Sequence, residues 1–323
     1  MPNLKDNSLR FNDQGSTTMH ALYVSPMEYG ANAAVDALGQ SLQNGLAENG
    51  IELRVICADF RDERWPGTAD EAVLAGVEAG VDAIVAWLIT PDSPAAGAAI
   101  AMERGIPMIT IERPHFPVAA SLVYPNFNHG TYLAEHLATL LPAGADIAVI
   151  GGPGSVDDTE LVTGIRHGLD AAGLHRVNDP EDPRYRNVSD VAEGGREKAL
   201  NVLADFPRLD GLIPYNDETM FGTLDALRQT GRLGEVIMVS RNGTPRAVQA
   251  VQDGLLAGTW DTDVIATGQQ ISELVVRAVV KREELDGLCA VGPVGLMITP
   301  ERAVHWLPWE RRIQYHAFKY GLE

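Results

Sequence analysis

The sequence predicts an α/β protein made of two doubly wound, Rossmann-like parallel-sheet domains. Three observations carry this. Short β-branched runs alternate with amphipathic helical stretches, the order that builds a parallel sheet covered by helices on both faces. The alternation runs through once and begins again in the second half of the chain. The 323 residues exceed what one hydrophobic core usually serves, and they include 45% apolar residues, 6% aromatics and 32 glycines.

Residues 1–19 (MPNLKDNSLRFNDQGSTTM) are polar and hold no apolar run of the kind a signal peptide carries, so they read as a tail. HALYVS (20–25) is the first strand. A helix follows over 30–49, with Val35, Leu38, Leu42 and Leu46 on one face and Gly50 as its stop. Strands at 51–57, 83–88, 107–111 and 121–124 alternate with helices at 70–79 and 93–104. The apolar run AIVAWLIT (83–90) is too short to span a membrane and suits a buried parallel strand. The second half repeats the theme. Strands at 147–151, 212–214 and 236–240 alternate with helices at 131–141, 157–171, 191–206, 217–230 and 245–252.

The net charge of −19 argues against a phosphate-neutralising basic stripe, and hence against nucleic acid as a partner. No basic amphipathic face points to a membrane surface. Cys57 and Cys289 sit in largely apolar surroundings and read as two buried thiols.

Open doubly wound sheets bind ligands beyond the carboxyl ends of their strands. Those places carry PMEYGAN (26–32), Glu112-Arg113 at the end of MITIERP, Asn126, PYNDE (214–218), SRNGTP (240–245) and GTWDTD (258–263). The candidate ligand-binding residues are therefore Glu28, Tyr29, Glu112, Arg113, Asn126, Asn216, Asn242, Asp261 and Asp263. Amide, carboxylate and guanidinium groups bond in fixed directions, as a polyhydroxylated ligand requires. Tyr29 and Trp260 offer flat faces for C–H patches. Each has a plainer reading. Glu112-Arg113 could be a surface ion pair, Asn216 a helix cap, Asn242-Gly243 a turn, one of Asp261 and Asp263 a cap, and Trp260 core. GGPGS (151–155) follows a strand, but it lacks phosphate-loop spacing and Pro153 removes an N–H, so it reads as a tight turn. His129 and His136 lack metal-ligand spacing and read as surface or packed residues. His115 is a weaker site candidate beside the Glu-Arg pair. No catalytic motif, metal site or cofactor site is expected.

Three segments resemble a known family: IPMITIERP (106–114), LDGLIPYNDETMFGTLDAL (209–227) and VIMVSRNGTPRAVQAVQDGLLAGTW (236–260). On them the chain resembles the type I periplasmic binding proteins of the ribose-binding kind, a fold shared with the ligand domains of the lactose-repressor family. The likeness covers roughly residues 20–300. It implies a hinge of three crossovers near 124–126, 261–263 and 291–294. The first domain would comprise 20–125 plus 263–292, and the second 126–262 plus 293–323 with its C-terminal extension. A ligand would lie between them, gripped by Glu112 and Arg113 from one side and Asn216 and Asn242 from the other. There are departures. Asn242, preceded by Arg241, stands where the family usually has an aspartate. DDTELVTG (157–164) lacks the family's cleft arginine. MEYGAN replaces an asparagine–aromatic cluster, which brings Glu28 and Tyr29 into play.

The resemblance implies a monomeric solute-binding protein, periplasmic or otherwise outside the cytoplasm, that passes a sugar-like small molecule to the permease of an ABC-type importer. A ligand-sensing receptor or regulator of the same fold is the alternative, although no helix-turn-helix precedes residue 20. An enzyme using Glu28, Glu112 and His115 for acid–base chemistry is the third reading.

Overall fold

The computed structural model describes residues 18–322. The expected polar tail therefore falls outside the described residues except for its last two, and Met19 already opens the first strand.

In chain order the first sheet region runs β1 (Met19–Ser25), α1 (Ala33–Ala47), β2 (Ile51–Cys57), α2 (Gly67–Ala79), β3 (Ala83–Trp87), α3 (Ala95–Glu103), β4 (Met108–Ile111) and β5 (Ala120–Val123). The second runs α4 (Asn126–Ala138), β6 (Asp146–Ile150), α5 (Val156–Ala171), β7 (His175–Arg176), α6 (Ala192–Asp205), β8 (Gly211–Pro214), α7 (Asp217–Thr230), β9 (Ile237–Asn242), α8 (Pro245–Gln252) and β10 (Gly258–Asp261). Then come α9 (Val264–Val279), β11 (Leu288–Val291), β12 (Leu296–Ile298), α10 (Pro300–Ala303), a 3-10 turn at Trp309–Arg311 and β13 (Lys319–Tyr320).

Two separate sheets result. The first has seven parallel strands in the order β11-β5-β4-β3-β1-β2-β13. The second has six in the order β12-β10-β9-β8-β6-β7, with only β12 antiparallel. The two-domain, doubly wound fold expected from the sequence is what forms. The chain changes sheets between β5 and α4, between β10 and α9, and between β11 and β12. No helix of the described residues is long and apolar enough to cross a membrane.

Local chemistry explains the elements. The Asn32 side chain caps α1 by accepting from the Ala34 N–H at 3.0 Å, and the helix buries Val35, Leu38, Leu42 and Leu46. Helix α4 begins at Asn126, five residues before the expected start, because Pro125 in the crossover opens its first turn. Helices α4 and α5 approach closely enough that a Cβ on Gly164 would lie 1.9 Å from the Phe127 carbonyl oxygen.

One expectation is overturned. The segment 293–323 does not stay with the second sheet. Strand β12 and α10 do, but β13 pairs in parallel with β2 at the edge of the first sheet. Trp309, 1% exposed, and Ile313 join the first-sheet core with α1 and α9. The reason is physical: β2 would otherwise leave an open strand edge, and the tail's aromatics find apolar cover there. Phe318 packs over Gly39, where a Cβ would come within 2.9 Å of its ring.

The cysteine expectation is also corrected. Both are free thiols, Cys57 half-buried and Cys289 exposed on the edge strand β11.

Candidate ligand-binding site

Between the carboxyl ends of the two sheets lies a cleft lined by residues of both. Its walls meet. The Asn32 side-chain amide donates across it to Asp190 at 3.0 Å, and the Val156 N–H donates to the Ile89 carbonyl at 3.2 Å.

The walls differ in chemistry. The first-sheet side presents Met27, Phe60, Trp87 and Ile89, with Asn32 its one amide side chain. The second-sheet side presents Ser155, Asp157, Asp190, Asn216, Arg241 and Asn242. Tyr124 and Tyr215 also line it. An apolar aromatic wall thus faces a charged, hydrogen-bonding one.

Arg241 is the penultimate residue of β9 and is 4% exposed. Its Nη2 donates to Asp157 Oδ2 at 3.1 Å, while Nε and Nη1 are buried without a partner among the described residues. The Tyr215 hydroxyl donates to the same Asp157 oxygen at 3.3 Å, and the Tyr215 ring lies 5.9 Å from the guanidinium carbon. Two unpartnered nitrogens on a buried guanidinium are costly unless something accepts from them.

Asn216 is the helix cap of its plainer reading, and it also lines the cleft. Its Oδ1 caps α7 by accepting from the Thr219 N–H at 3.0 Å, and its Nδ2 donates to Asp190 Oδ1 at 2.5 Å. Behind it, Asp217 accepts from Ser240, from the Thr244 N–H at 2.8 Å and from the Thr259 hydroxyl at 2.9 Å. This buried carboxyl ties the starts of α7 and α8 to β9 and β10, so Asn216, Arg241 and Asn242 are set by one anchor. Burial pushes its pKa up to about 7, against the lowering effect of those donors.

Glu112 follows directly on β4, beside Arg113. It adopts a left-handed backbone with φ of 73°, a costly conformation for a residue with a Cβ. The two side chains part. Glu112, 1% exposed, turns inward behind the cleft lining, where Asn126 Nδ2 donates to it at 3.0 Å. Burial first, and then the nearby Asp157 charge, raises its pKa to about 8, so the carboxyl holds its proton at neutral pH. Arg113 turns outward. It is exposed and donates to the Cys289 sulfur at 3.2 Å.

Of the nine candidates, then, Asn216 and Asn242 line the cleft, and Glu112 and Asn126 pack directly behind it. The other five are elsewhere. Glu28 and Tyr29 are exposed, Tyr29 meeting Phe318 of the tail edge-on at 5.5 Å. Asp261 accepts from the Trp306 indole N–H at 3.0 Å, and Asp263 caps α9 and pairs with Arg312. These two aspartates hold the C-terminal segment to a crossover. Trp260 is core, stacked on Tyr132 at 4.9 Å and tilted against His129. His129 is fully buried, and burial pushes its imidazole down to about 3. His115 is exposed beside Asp92. The GGPGS turn is no phosphate cradle: its Gly152 and Gly154 N–H groups already donate to Asp158 at 2.9 and 2.8 Å.

Asn32, Asp157, Asp190 and Arg241 were missing from the candidate set. Asn32 and Arg241 lay inside quoted strand-end segments. Asp157 was legible only as a helix-start acid. Asp190 follows no regular strand, and only its left-handed φ of 52° marks it.

The profile of the family described as "Periplasmic binding protein domain" matches residues 20–283. Among curated proteins, the D-ribose/D-allose-binding protein of Pseudomonas aeruginosa is 24% identical over 267 residues, 78% of this chain and 81% of that one. The ribose import binding protein of Bacillus subtilis is 27% identical over 231 residues, 68% and 70% of the two chains. Among solved structures, a periplasmic ABC-transporter solute binding protein from Actinobacillus succinogenes with bound D-allose superposes with a TM-score of 0.78 at 20% identity, over 90% of this chain and all of that one.

Proposed function

Because the chain belongs to the periplasmic binding protein family, we propose that it captures a sugar or similarly hydroxylated small molecule in the cleft between its two sheets and delivers it to an ABC-type importer. The observation that carries this is Arg241, buried in that cleft with two nitrogens unmatched among the described residues. A ligand oxygen would complete them, while ligand hydroxyls donate to Asp157 and Asp190. Phe60 and Trp87 supply the flat faces that sugar C–H patches pack on. Closure about the crossovers would bring the apolar wall onto a ligand already held by the polar one. The protein acts as a monomer outside the cytoplasm, with the permease as its partner, and its work is binding without turnover.

The test is a thermal-shift screen against pentoses, hexoses, polyols, amino sugars and sugar acids, with the ligand recovered and analysed. A ligand at 100-fold its dissociation constant stabilises by about 2.7 kcal/mol, a shift of a few degrees. A hit recovered unchanged supports the binding protein. A hit that returns chemically altered would replace this reading with an enzyme.

A further inference from the structure

The charges in the cleft do not balance. Its charged lining groups are Asp157, Asp190 and Arg241. Arg241 is committed to Asp157 at 3.1 Å. Asp190 is 6% exposed, and among the described residues its side chain receives neutral donors only, the side-chain amides of Asn32 and Asn216, one on each oxygen. The charges that act on it most strongly, Asp157 and Glu218, are themselves acidic. The nearby cation, Arg61, lies outside the cleft lining and is held by Asp59. A carboxylate accepts about four hydrogen bonds, so Asp190 retains unused acceptor capacity facing the cavity. A buried anion of this kind calls for a proton or a cationic partner.

A second feature points to a ligand independently. Among the described residues, Nε and Nη1 of Arg241, a residue that lines the same cavity, are buried without a partner and require an acceptor. The ligand must therefore offer an oxygen to Arg241 and a positive donor to Asp190, both on its polar side. Its other side packs against Phe60 and Trp87, whose ring faces also favour a cation.

Resting on the sugar-binding reading above, we propose that the preferred ligand is an amino-substituted sugar or polyol, bound as the ammonium, with its charged nitrogen on Asp190 and a ring or hydroxyl oxygen on Arg241. A carboxylate-bearing sugar is disfavoured by the same two aspartates.

The test is calorimetric titration of the full chain at pH 7 with matched sets on one frame: D-glucose, D-glucosamine and D-glucuronate; D-galactose, D-galactosamine and D-galacturonate; myo-inositol and an amino-inositol. In at least one set the amine should bind tenfold or more tighter than the neutral member, and the acid should bind weakest. Asp190→Asn, which keeps the shape and removes the charge, should reduce the amine preference to threefold or less. The wild-type comparison stands even if that variant fails to fold. Neutral members binding as tightly as the amines, or a preference that survives Asp190→Asn, would overturn the cationic ligand while leaving sugar binding intact. No binding by any member would overturn both.

Discussion

Arg241 and Arg113 separate the two ways an arginine near a strand end can be used. Arg241 is buried, and its fork is half-filled by Asp157. Arg113 is exposed, with a cysteine sulfur for a partner. Arg241→Lys keeps a positive charge for Asp157 but loses the planar fork. It should weaken ligand binding about tenfold to a hundredfold, the worth of one or two charged hydrogen bonds at ~1.5–3 kcal/mol. Arg113→Ala should change affinity by less than about twofold, as exposed groups away from a site do. Calorimetry on the two variants decides the matter, and the reverse pattern would return Arg113 to the cleft. The sequence made the cleft's location legible, because strand ends in such sheets face one another. It did not reveal orientation. Nothing in ERP says that the glutamate takes a positive φ and thereby sends the arginine out. Asp190 was hidden for a different reason: it lies on a loop that reaches the cleft from β7, a strand of only two residues.

At the scale of elements, regular hydrophobic periodicity was readable and edge pairing was not. Helix α1 shows its buried face in sequence through Val35, Leu38, Leu42 and Leu46. Strand β13 is two residues, Lys319 and Tyr320, both exposed, with no alternation to detect. What fixes it is tertiary. Trp306 binds Asp261, the Gln40 amide donates to the His316 carbonyl at 2.8 Å, and Trp309 sits in the first-sheet core. The C-terminal segment thus crosses from the second sheet to the first and clasps the β10–α9 crossover on its way. Trp309→Ala should lower the unfolding free energy by about 3–5 kcal/mol, as for a buried aromatic removed from a core. Trp306→Phe, which loses the hydrogen bond to the buried Asp261 carboxyl and one ring of the indole, should cost about 1–3 kcal/mol. Urea denaturation measures both. A Trp309→Ala loss under about 1 kcal/mol, the range of surface changes, would mean that the segment only rests on the surface.

For the whole molecule, burying acids in an already acidic chain makes stability depend on pH in a stated direction. Folding raises Glu112 from 4.5 to about 8, and Asp190 and Asp217 from 3.8 to about 7, with burial the largest cause in each case. A carboxyl whose pKa is raised by folding binds its proton more tightly in the folded chain. Its contribution is full below the unfolded pKa and lost as pH rises through the folded one. These three groups therefore withdraw stability from about pH 4 up to about pH 8, each with a slope of at most about 1.4 kcal/mol per pH unit that vanishes above its folded pKa. His129 works the other way. Burial depresses it from 6.5 to about 3, so it subtracts stability only as pH falls below about 6.5, and above that pH the carboxyls' loss is read without it. The melting temperature in moderate salt should accordingly fall by a few degrees from pH 6.5 to 8.5. Glu112→Gln keeps an acceptor and supplies an N–H2 without a titrating proton, so it should flatten that fall and raise the melting temperature more at pH 8.5 than at 6.5. A flat profile in the wild type, or an equal shift at both pH values in the variant, would show that Glu112 is not held neutral. Because Asp190 is bonded to Asn32 across the cleft, ionisation in the same window also charges the contact that joins the two walls. A cationic ligand seated there would offset this, so its stabilising shift should be larger at pH 8 than a neutral ligand's.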